Sequence, residues 1–316
     1  MLSYFPAIHP YASHRIAVEP PHEIYVEECG NPQGLPILFL HGGPGSGCSE
    51  NSRRLFDPNL YRIILADQRG AGRSTPHGEL QHNHTQGLLS DIETIRQHLG
   101  IEQWLIYGSS WGSLLGLIYA QNYPQRVQGM ILRGVFLNRN HDIEWAFGGK
   151  GHNMVFPDHW ETFLKPLPAD HQHNPLPYYF SLLTGDNEIA QMQAAECWVE
   201  WAVCCASLLP DPSYVAQHSD PHEALRIARM ECYYMINNYF LEPDQALRNI
   251  TRIQHIPSIL IHGRYDMICP LDGAWQLHKA WPNSQLQIIP DAGHLTKEPS
   301  TLNAVILATE KMAQLF

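Results

Sequence analysis

Short apolar runs of strand length alternate with segments of helical periodicity along the first half of the chain. The apolar runs lie at 36–40, 61–66, 104–107 and 127–133. Such runs are typical of strands that are buried on both faces of a parallel sheet. Residues 88–99 carry Leu or Ile at helical intervals and end before Gly100, a frequent sign of a helix C-terminus. The alternation predicts an α/β protein with a mostly parallel, doubly wound sheet.

This rhythm of strands and helices breaks near Phe136 and returns at Ile256. Between these points the chain is rich in Trp, His and Pro, with helical stretches at 187–208 and 221–240 and no convincing strand. Insertions of this kind shape a pocket above a rigid scaffold, so this one is expected to carry specificity. The pattern predicts a first part of the α/β core at 1–137, a helical cap at 138–247 and a second part of the core at 248–316.

The remaining elements are predicted near the two ends of the chain. A hairpin is expected within 8–28, further strands at 256–263 and 285–289, and a closing helix at 301–316. The last two strands extend the parallel sheet beyond the cap. The core is therefore expected to be assembled from both sides of the insertion.

The charge and hydropathy of the chain exclude several classes of partner. Twenty Lys and Arg against 31 Asp and Glu give a formal net charge of −11. No basic run is present, so nucleic acid is not expected as a partner. No apolar stretch approaches the roughly 20 residues that span a bilayer, so no membrane association is expected. An acidic balance is usually only a solubility feature; the weaker alternative is that it favours a cationic substrate over an anionic one.

The cysteines and the N-terminus predict a cytoplasmic protein without metal. Seven cysteines, an odd number without C-x-x-C spacing, indicate reduced thiols rather than disulfides or a zinc site. Residues 1–6 lack the basic and apolar regions of a secretory signal. Among 19 histidines the tightest pairs are His82 with His84 and His171 with His173, both in polar stretches that predict solvated loops.

Residues 108–112, Gly-Ser-Ser-Trp-Gly, form a G-x-S-x-G sequence between a strand-like run and a helical one. A strand that turns sharply into a helix through one serine needs glycines beside it, and it exposes the hydroxyl of that serine. Taken alone, so short a motif also fits a flexible glycine-serine loop. Its position between strand and helix favours Ser110 as a nucleophile.

Ser110 needs a base and a carboxylate to become nucleophilic at neutral pH. Asp266 and His294 each follow an apolar strand, so both are expected at the same edge of the sheet as Ser110. Individually each could be a turn residue, but the order Ser, Asp, His is that of a catalytic triad after a serine elbow. The backbone N–H groups of Gly43, in the His-Gly-Gly-Pro-Gly stretch, and of Trp111 are the expected oxyanion donors. Alternatively, the glycines at 42–45 are an ordinary Gly-Pro turn.

Several motifs, taken as a set, resemble the proline iminopeptidases, or prolyl aminopeptidases, of the α/β-hydrolase superfamily. They are HGGPG at 41–45, DQRGAGRS at 67–74, GSSWGS at 108–113 and HGRYD at 262–266. The similarity extends over nearly the whole chain. It implies an α/β-hydrolase fold with a helical cap and a serine aminopeptidase that releases N-terminal proline from short peptides. It also implies that neither a metal nor an organic cofactor is needed.

The cap departs from this family at one position. The family carries a W-x-x-W-E element whose glutamate binds the free amino end of the substrate, and Ala202 stands in its place after Trp198 and Trp201. Glu200 lies two residues earlier, roughly 200° around a helix, so it is expected to point away from the pocket. Glu231, in an A-R-x-E element, matches the second amino-binding glutamate of the family.

The roles of these cap residues stay open at the level of sequence. Glu231 would bind substrate, or it would pair with an arginine on the helix surface. Trp198 and Trp201 would line the pocket or pack in the core of the cap. The same catalytic machinery with altered specificity would make an esterase or amidase acting on small esters, amides or lactones, since Ala202 removes one amino-binding glutamate. A catalytically silent binding protein is a third hypothesis, against which the intact triad and oxyanion loop weigh.

Overall fold

The computed structural model describes residues 1–209, 211, 214 and 220–316. Part of the predicted cap, residues 210, 212–213 and 215–219, lies outside the described residues. Eight strands form one sheet in the order β1-β2-β4-β3-β5-β6-β7-β8. The strands are β1 Ala12–Ala17, β2 Glu23–Gly30, β3 Leu35–Leu40, β4 Tyr61–Asp67, β5 Trp104–Ser109, β6 Val127–Arg133, β7 Ser258–Gly263 and β8 Ser284–Ile289.

The predicted α/β-hydrolase sheet is confirmed. Strands β1 and β2 form the antiparallel edge, and all pairs from β4 to β8 are parallel. Strand β5 lies in the middle and is buried along its whole length. Its residues alternate between two apolar cores: Trp104 and Ile106 face one side, and Leu105 and Tyr107 face the other. A strand that must fill both cores carries no polar face, which explains the apolar run.

Helices cover both faces of the sheet. In chain order, the α-helices of the core are α1 Glu50–Arg53, α2 Thr85–His98 and α3 Trp111–Asn122 before the insertion, and α10 Leu271–Ala280 and α11 Pro299–Ala313 after it. The closing helix begins at Pro299, which suits the first helical turn because its missing N–H would be unpaired there. It ends at Ala313, three residues before the predicted end. No described helix is long and apolar enough to cross a membrane.

Between β6 and β7 the described residues form helices and no strand. They are α4 Asn140–Phe147, α5 Pro157–Leu164, α6 Pro175–Thr184, α7 Glu188–Ala206, α8 Pro221–Ile236 and α9 Gln245–Arg248. Helices α7 and α8 match two predicted stretches, although α8 stops at Ile236 and is followed by an irregular turn with Tyr239 at φ 52°. The shorter helices were not predicted, because none is longer than 10 residues, which is too few turns for a helical apolar period to be recognised in the sequence.

Candidate active site

Ser110 sits at the sharp turn between β5 and α3. Its backbone adopts φ 57° and ψ −123°, a conformation that side-chain-bearing residues rarely adopt and that neighbouring structure must hold in place. A methyl group at Gly112 would lie 2.1 Å from the carbonyl oxygen of Leu40, and one at Gly108 would lie 2.4 Å from the carbonyl oxygen of Gly112. The two glycines therefore permit the turn that presents the Ser110 hydroxyl to a cavity.

His294 and Asp266 are hydrogen-bonded to each other beside this turn. Nδ1 of His294 lies 2.8 Å from Oδ2 of Asp266, and the other carboxylate oxygen accepts from the backbone N–H groups of Ile268 and Cys269 at 3.1 and 2.8 Å. With Nδ1 donating to the carboxylate, Nε2 of His294 is left free to accept a proton. Ser110 and His294 both line the same cavity.

The electrostatic setting of Asp266 keeps it ionised. Burial raises the pKa of this carboxyl, but the imidazoles of His294 and His262 and the N–H of Cys269 outweigh burial, so the pKa lies below its usual range. The ionised form is thus the one present at neutral pH. A fixed negative charge here stabilises the imidazolium that forms when His294 takes a proton.

His262 is a supporting residue that sequence reasoning did not single out. Its Nδ1 accepts the N–H of Val135 at 3.0 Å, so its Nε2 carries the proton and donates to the carbonyl of Cys269 at 2.7 Å. Burial lowers its pKa, which favours this neutral form. The ring fixes the loop that carries Asp266 against the end of β6. Its sequence signals were its place at the end of an apolar strand and its position as the first residue of the HGRYD motif at 262–266.

The predicted oxyanion donors lie on either side of Ser110. Gly43 has φ +107°, and the neighbouring Gly42 approaches so closely that a methyl group there would lie 3.3 Å from Cβ of Ser110. Trp111 is the first residue of α3, where backbone N–H groups have no partner within the helix. Its indole donates to Gln68 at 2.8 Å, which ties the turn to the loop after β4. Both residues line the cavity.

Arg133, at the end of β6, connects the turn at Ser110 to the loop that carries His294. Its guanidinium donates to Oγ of Ser109 and to the backbone carbonyl of His294. The hydroxyl of Ser109 is the acceptor in the first of these contacts. The second contact joins positions 161 residues apart in sequence, so spacing could not reveal it.

Gly134 packs directly against the His294 imidazole. A methyl group at this position would lie 3.0 Å from Cε1 and 3.2 Å from Nδ1 of His294, and the backbone has φ +55°. Gly134→Ala is expected to lower kcat by about 100-fold, because a displacement of about 1 Å in a catalytic group has this effect. The measurement is steady-state kinetics on a chromogenic substrate.

The matched control for Gly134 is Gly100, which follows α2. Its φ is +63°, and a methyl group there would meet no atom within 4 Å. Gly100→Ala therefore carries the same backbone strain without the contact, and it should lose stability but keep kcat. Equal losses of kcat in the two variants would show that the imidazole contact at Gly134 does not matter.

The cavity in front of Ser110 has a volume of about 280 Å³ and takes its walls from the core and from the helices above it. Glu231 on α8 lies in the wall, where one of its oxygens accepts the indole N–H of Trp198 at 2.7 Å. Burial raises the pKa of Glu231 to about 7, and the Trp198 hydrogen bond only partly opposes this. Among the described residues Glu231 has no arginine partner, so the surface ion-pair alternative is not what the structure shows.

The two tryptophans of α7 line the cavity and also pack inside the helical segment. Trp198 stacks on Phe147 at a ring distance of 5.2 Å, and Trp201 packs on Trp160 at 5.1 Å. Both are about 97% buried or more. The two alternatives raised by the sequence are therefore both correct: Trp198 and Trp201 belong to the aromatic core of the helical segment and also line the cavity.

Ala202 lies in the cavity wall, and Glu200 does not. Glu200 instead reaches His159, with its oxygen 3.5 Å from Nδ1, on the side of α7 away from the cavity. The helical angle predicted this divergence of side chains two residues apart. A carboxylate is therefore missing from the cavity at 202. Asp142 and Glu231 line the cavity, and Asp142 is paired with Arg139 at 2.5 Å, so Glu231 is the acid that has no arginine partner among the described residues.

The histidine pairs of the sequence have local partners. Nδ1 of His84 accepts the N–H of Gly87 and caps α2, and His171 stacks on Tyr178 at a ring distance of 4.6 Å. Within the described ranges, one group has donor atoms close enough to hold a metal ion, namely His159, Glu200 and Cys204. None of the three lines the catalytic cavity.

The loop that carries His294 is fastened to the C-terminal end of α7. The backbone N–H of His294 donates to the carbonyl of Ala206 at 2.7 Å. The carboxylate of Glu298 bridges the same junction, accepting the N–H groups of Leu208 and Gly293 at 2.9 and 2.8 Å. We call these three hydrogen bonds the α7 clasp. The clasp ties the segment that carries His294 to the helix that also forms part of the cavity wall.

Cys269 is another wall residue that the sequence did not indicate. It is 97% buried, lies in the loop of Asp266 and lines the cavity beside Ser110. Burial raises the pKa of its thiol well above the usual range, so the thiol is neutral and packs as a small apolar group. Its signal was its position three residues after Asp266.

Comparison with known proteins adds the family context. Residues 36–299 match the family model described as alpha/beta hydrolase fold. The chain is 43% identical to a proline iminopeptidase of Xylella fastidiosa (strain Temecula1 / ATCC 700964), covering 98% of this chain and 99% of the relative. It is 46% identical to a probable proline iminopeptidase of Leptolyngbya boryana, with coverages of 98% and 97%. A proline iminopeptidase of Arabidopsis thaliana is 43% identical, with coverages of 98% and 81%.

Solved structures share the fold at much lower identity. A proline iminopeptidase-related protein of Thermus thermophilus matches with a TM-score of 0.66 at 19% identity, covering 96% of this chain and 99% of that chain. An esterase of Exiguobacterium antarcticum matches with a TM-score of 0.57 at 18% identity, with coverages of 93% and 96%. These matches show the common architecture.

Proposed function

This chain belongs to the proline iminopeptidase family of the α/β hydrolases, and we propose that Ser110, His294 and Asp266 carry out its reaction. It is a serine hydrolase that releases N-terminal proline from peptides. The observation that carries the proposal is that one cavity is lined both by the serine and histidine of the proposed triad and by a buried carboxyl group. The Ser110 and His294 side chains lie on its core side, and the Glu231 carboxyl lies on its helical side.

The reaction proceeds through an acyl-enzyme. Oγ of Ser110 bonds to the carbonyl carbon of the N-terminal proline while its proton passes to Nε2 of His294. The N–H groups of Gly43 and Trp111 hold the oxyanion; loss of one such donor typically costs about 3 kcal/mol. His294 then gives the proton to the leaving nitrogen as the C–N bond breaks. Water attacks the ester, and the proton returns through His294 to Ser110 as proline is released.

Glu231 supplies the recognition of the free amino end. A buried carboxylate pairs with the ammonium of proline, and an N-acylated peptide would leave that carboxylate unpaired. The cavity of about 280 Å³, with Trp198 and Trp201 in its walls, suits one small apolar ring rather than a long side chain. With Ala202 in place of a carboxylate, and with Asp142 already paired with Arg139, this recognition is assigned to Glu231. No contact in the cavity favours the esterase alternative.

The pH dependence of substrate binding should follow the ionisation of Glu231. Its raised pKa of about 7 means that the carboxylate, which binds the ammonium, is present above pH 7 and is lost as pH falls through 7. The KM for proline p-nitroanilide is expected to rise about tenfold between pH 8 and pH 6. A p-nitrophenyl ester without an amino group does not need the Glu231 carboxylate for binding, so the ratio of kcat/KM for the anilide to kcat/KM for the ester isolates the contribution of Glu231.

Glu231→Gln provides the matched variant for this measurement. It keeps the size of the side chain and an acceptor for Trp198, but it cannot ionise. Its anilide-to-ester ratio should be low and independent of pH. A wild-type ratio that does not change between pH 6 and pH 8 would remove Glu231 from amine recognition.

Three substrates test the proposed function itself: proline p-nitroanilide, its N-acetyl derivative and a short-chain p-nitrophenyl ester. We expect fast cleavage of the free anilide and no cleavage of the acetylated one. If the ester alone is hydrolysed, the esterase hypothesis replaces the aminopeptidase. If none is hydrolysed, the triad assignment is wrong.

The cell compartment and partners follow as parts of the same proposal. We place the protein in the cytoplasm, supported by seven cysteines that are all free thiols. Its partner is a short peptide substrate, with neither nucleic acid nor membrane, supported by the net charge of −11. We further assign residues 138–247 as a cap domain, with residues 1–137 and 248–316 as the core.

A further inference from the structure

A second cavity, of about 690 Å³, lies between helix α8 and the loops that follow β3 and β4. We call it the arginine cleft. Its charged and titratable wall residues are Arg53, Arg73, Arg226, Arg229, Glu50, Glu223, His77 and His222. Four arginines against two glutamates make it basic, whereas the chain as a whole has a net charge of −11. A basic cavity in an acidic protein indicates a local role for positive charge.

Two of these arginines are already neutralised. Arg53 makes a bidentate ion pair with Glu27, with N···O distances of 2.6 and 3.0 Å. Arg73 contacts Asp67 at 2.8 Å and Glu27 at 2.7 Å. They hold the loops together and offer little further charge to a ligand. The basic character available to a ligand comes from α8.

The positive charges of Arg226 and Arg229 on α8 are only weakly neutralised by the described residues around them. Arg226 is 88% buried at its side chain, donates to the carbonyl of Gly45 and has only Glu223 as an ion-pair partner among the described residues, at 3.3 Å. Glu223 is about half exposed, so solvent weakens that pair. Burial accordingly lowers the pKa of Arg226, which Glu223 and Asp67 only partly offset.

Arg229 has no partner among the described residues. No hydrogen bond or ion pair engages its guanidinium within the described part of the chain, and its Nε is buried without an acceptor. The eight residues outside that part include no Asp or Glu, so they supply no carboxylate. A buried guanidinium donor without an acceptor is costly, and an anionic ligand would relieve that cost.

The arginine cleft borders the catalytic cavity. Ser46, which follows the oxyanion glycines, lines both. Helix α8 forms a wall of each: Ile227 and Glu231 face the catalytic cavity, and Arg226 and Arg229 face the cleft. Arg229 and Glu231 are two positions apart, roughly 200° around the helix. The same helix therefore presents a carboxyl group to the catalytic cavity and a guanidinium group to the arginine cleft.

We propose that the arginine cleft binds the C-terminal carboxylate of a short peptide substrate, with Arg229 and Arg226 as its partners. This rests on the proposed function, since it concerns the segment that leaves when proline is released. With the ammonium at Glu231 and the scissile carbonyl at Ser110, the leaving segment extends past Ser46 towards α8. Each extended residue spans at most about 3.6 Å, so a leaving segment of a few residues brings its carboxylate to the arginines.

The experiment compares Pro-Ala-Ala with its C-terminal amide, Pro-Ala-Ala-NH₂, and uses proline p-nitroanilide as a substrate without a carboxylate. For the wild-type protein kcat/KM should be about tenfold higher for the acid than for the amide, mainly through KM, because a charge-assisted hydrogen bond is lost in the amide. In Arg229→Gln the ratio of acid to amide should fall to about one. Arg252→Gln, which removes an exposed arginine away from the cleft, should keep the wild-type ratio.

The outcomes separate this inference from the function on which it rests. If wild-type protein cleaves the anilide but treats the acid and the amide alike, the arginine cleft is not a carboxylate site and the function stands. If the anilide itself is not cleaved, the function fails. If Arg229→Gln folds poorly, the same question is answered by measuring the effect of salt on the wild-type protein. About 0.5 M NaCl should raise the KM for the acid more than the KM for the amide. An equal effect of salt on both would overturn the proposal.

Discussion

Ser110→Ala is expected to lower kcat for proline p-nitroanilide by about 10⁴-fold or more. The substitution removes the only atom that bonds to the carbonyl carbon, and the oxyanion donors and substrate contacts left behind supply just a residual acceleration. KM should change little, because Glu231 and the aromatic walls remain. Because alanine is also disfavoured at φ 57°, the elbow geometry stays as strained as before.

A burst experiment makes this prediction sharper. Wild-type protein mixed with a p-nitrophenyl ester should release one equivalent of nitrophenol rapidly if an acyl-enzyme accumulates, and Ser110→Ala should release none. Ser90→Ala is the control, since Ser90 is exposed on α2 and its hydroxyl contacts only the carbonyl of Gln86. Turnover by Ser110→Ala above one hundredth of the wild-type rate would mean that another group attacks the substrate.

Asp266→Asn should reduce kcat by about 10⁴-fold while leaving the fold intact. The carboxamide fills the same space, but its NH₂ group can direct itself at Nδ1 of His294. The imidazole then carries its proton on Nε2 and cannot accept one from Ser110. The present distance of 2.8 Å between Nδ1 and Oδ2 is what enforces the productive tautomer.

The dependence of activity on pH distinguishes a misoriented His294 imidazole from a misfolded protein. In Asp266→Asn, residual activity should rise with pH as hydroxide replaces the disabled base, whereas a misfolded protein would show no such rise. Asp291→Asn is the matched control, because Asp291 is exposed and contacts only Ser300 through its side chain. A loss of less than tenfold in Asp266→Asn would exclude Asp266 as the orienting acid.

The sequence predicted what is local or what sheet topology dictates. Burial on both faces requires apolar runs in the central strands, and the turn at Ser110 requires glycines beside it. Both features can therefore be recognised from residues that are adjacent in sequence. Asp266 and His294 could be paired because parallel strands end at one edge of the sheet. The placement of Glu200 and Ala202 followed from helical geometry alone.

Other features depend on contacts between segments that are distant in sequence, so no local pattern of residues reveals them. The hydrogen bonds of Arg133 to Ser109 and His294 connect an arginine that could equally have faced solvent. Helices α4 to α6 span 8 to 10 residues each, which is too short for a helical apolar period to be recognised in the sequence. The charge imbalance of the arginine cleft emerges only when α8 is laid against the loops after β3 and β4. The arginine contacts and the charge imbalance are properties of packing, so they required the structure.

The α7 clasp restricts how this protein can diversify. Caps of α/β hydrolases can be regarded as exchangeable parts that retune specificity while the core keeps its chemistry. Here the C-terminal end of α7 at Ala206, together with Leu208 just after it, is hydrogen-bonded to the segment that carries His294 and Glu298. A cap transplanted from a relative would therefore have to bring a helix end of the same length and direction, or the base would shift. Recombination should succeed only when the donor segment and residues 293–298 are inherited together.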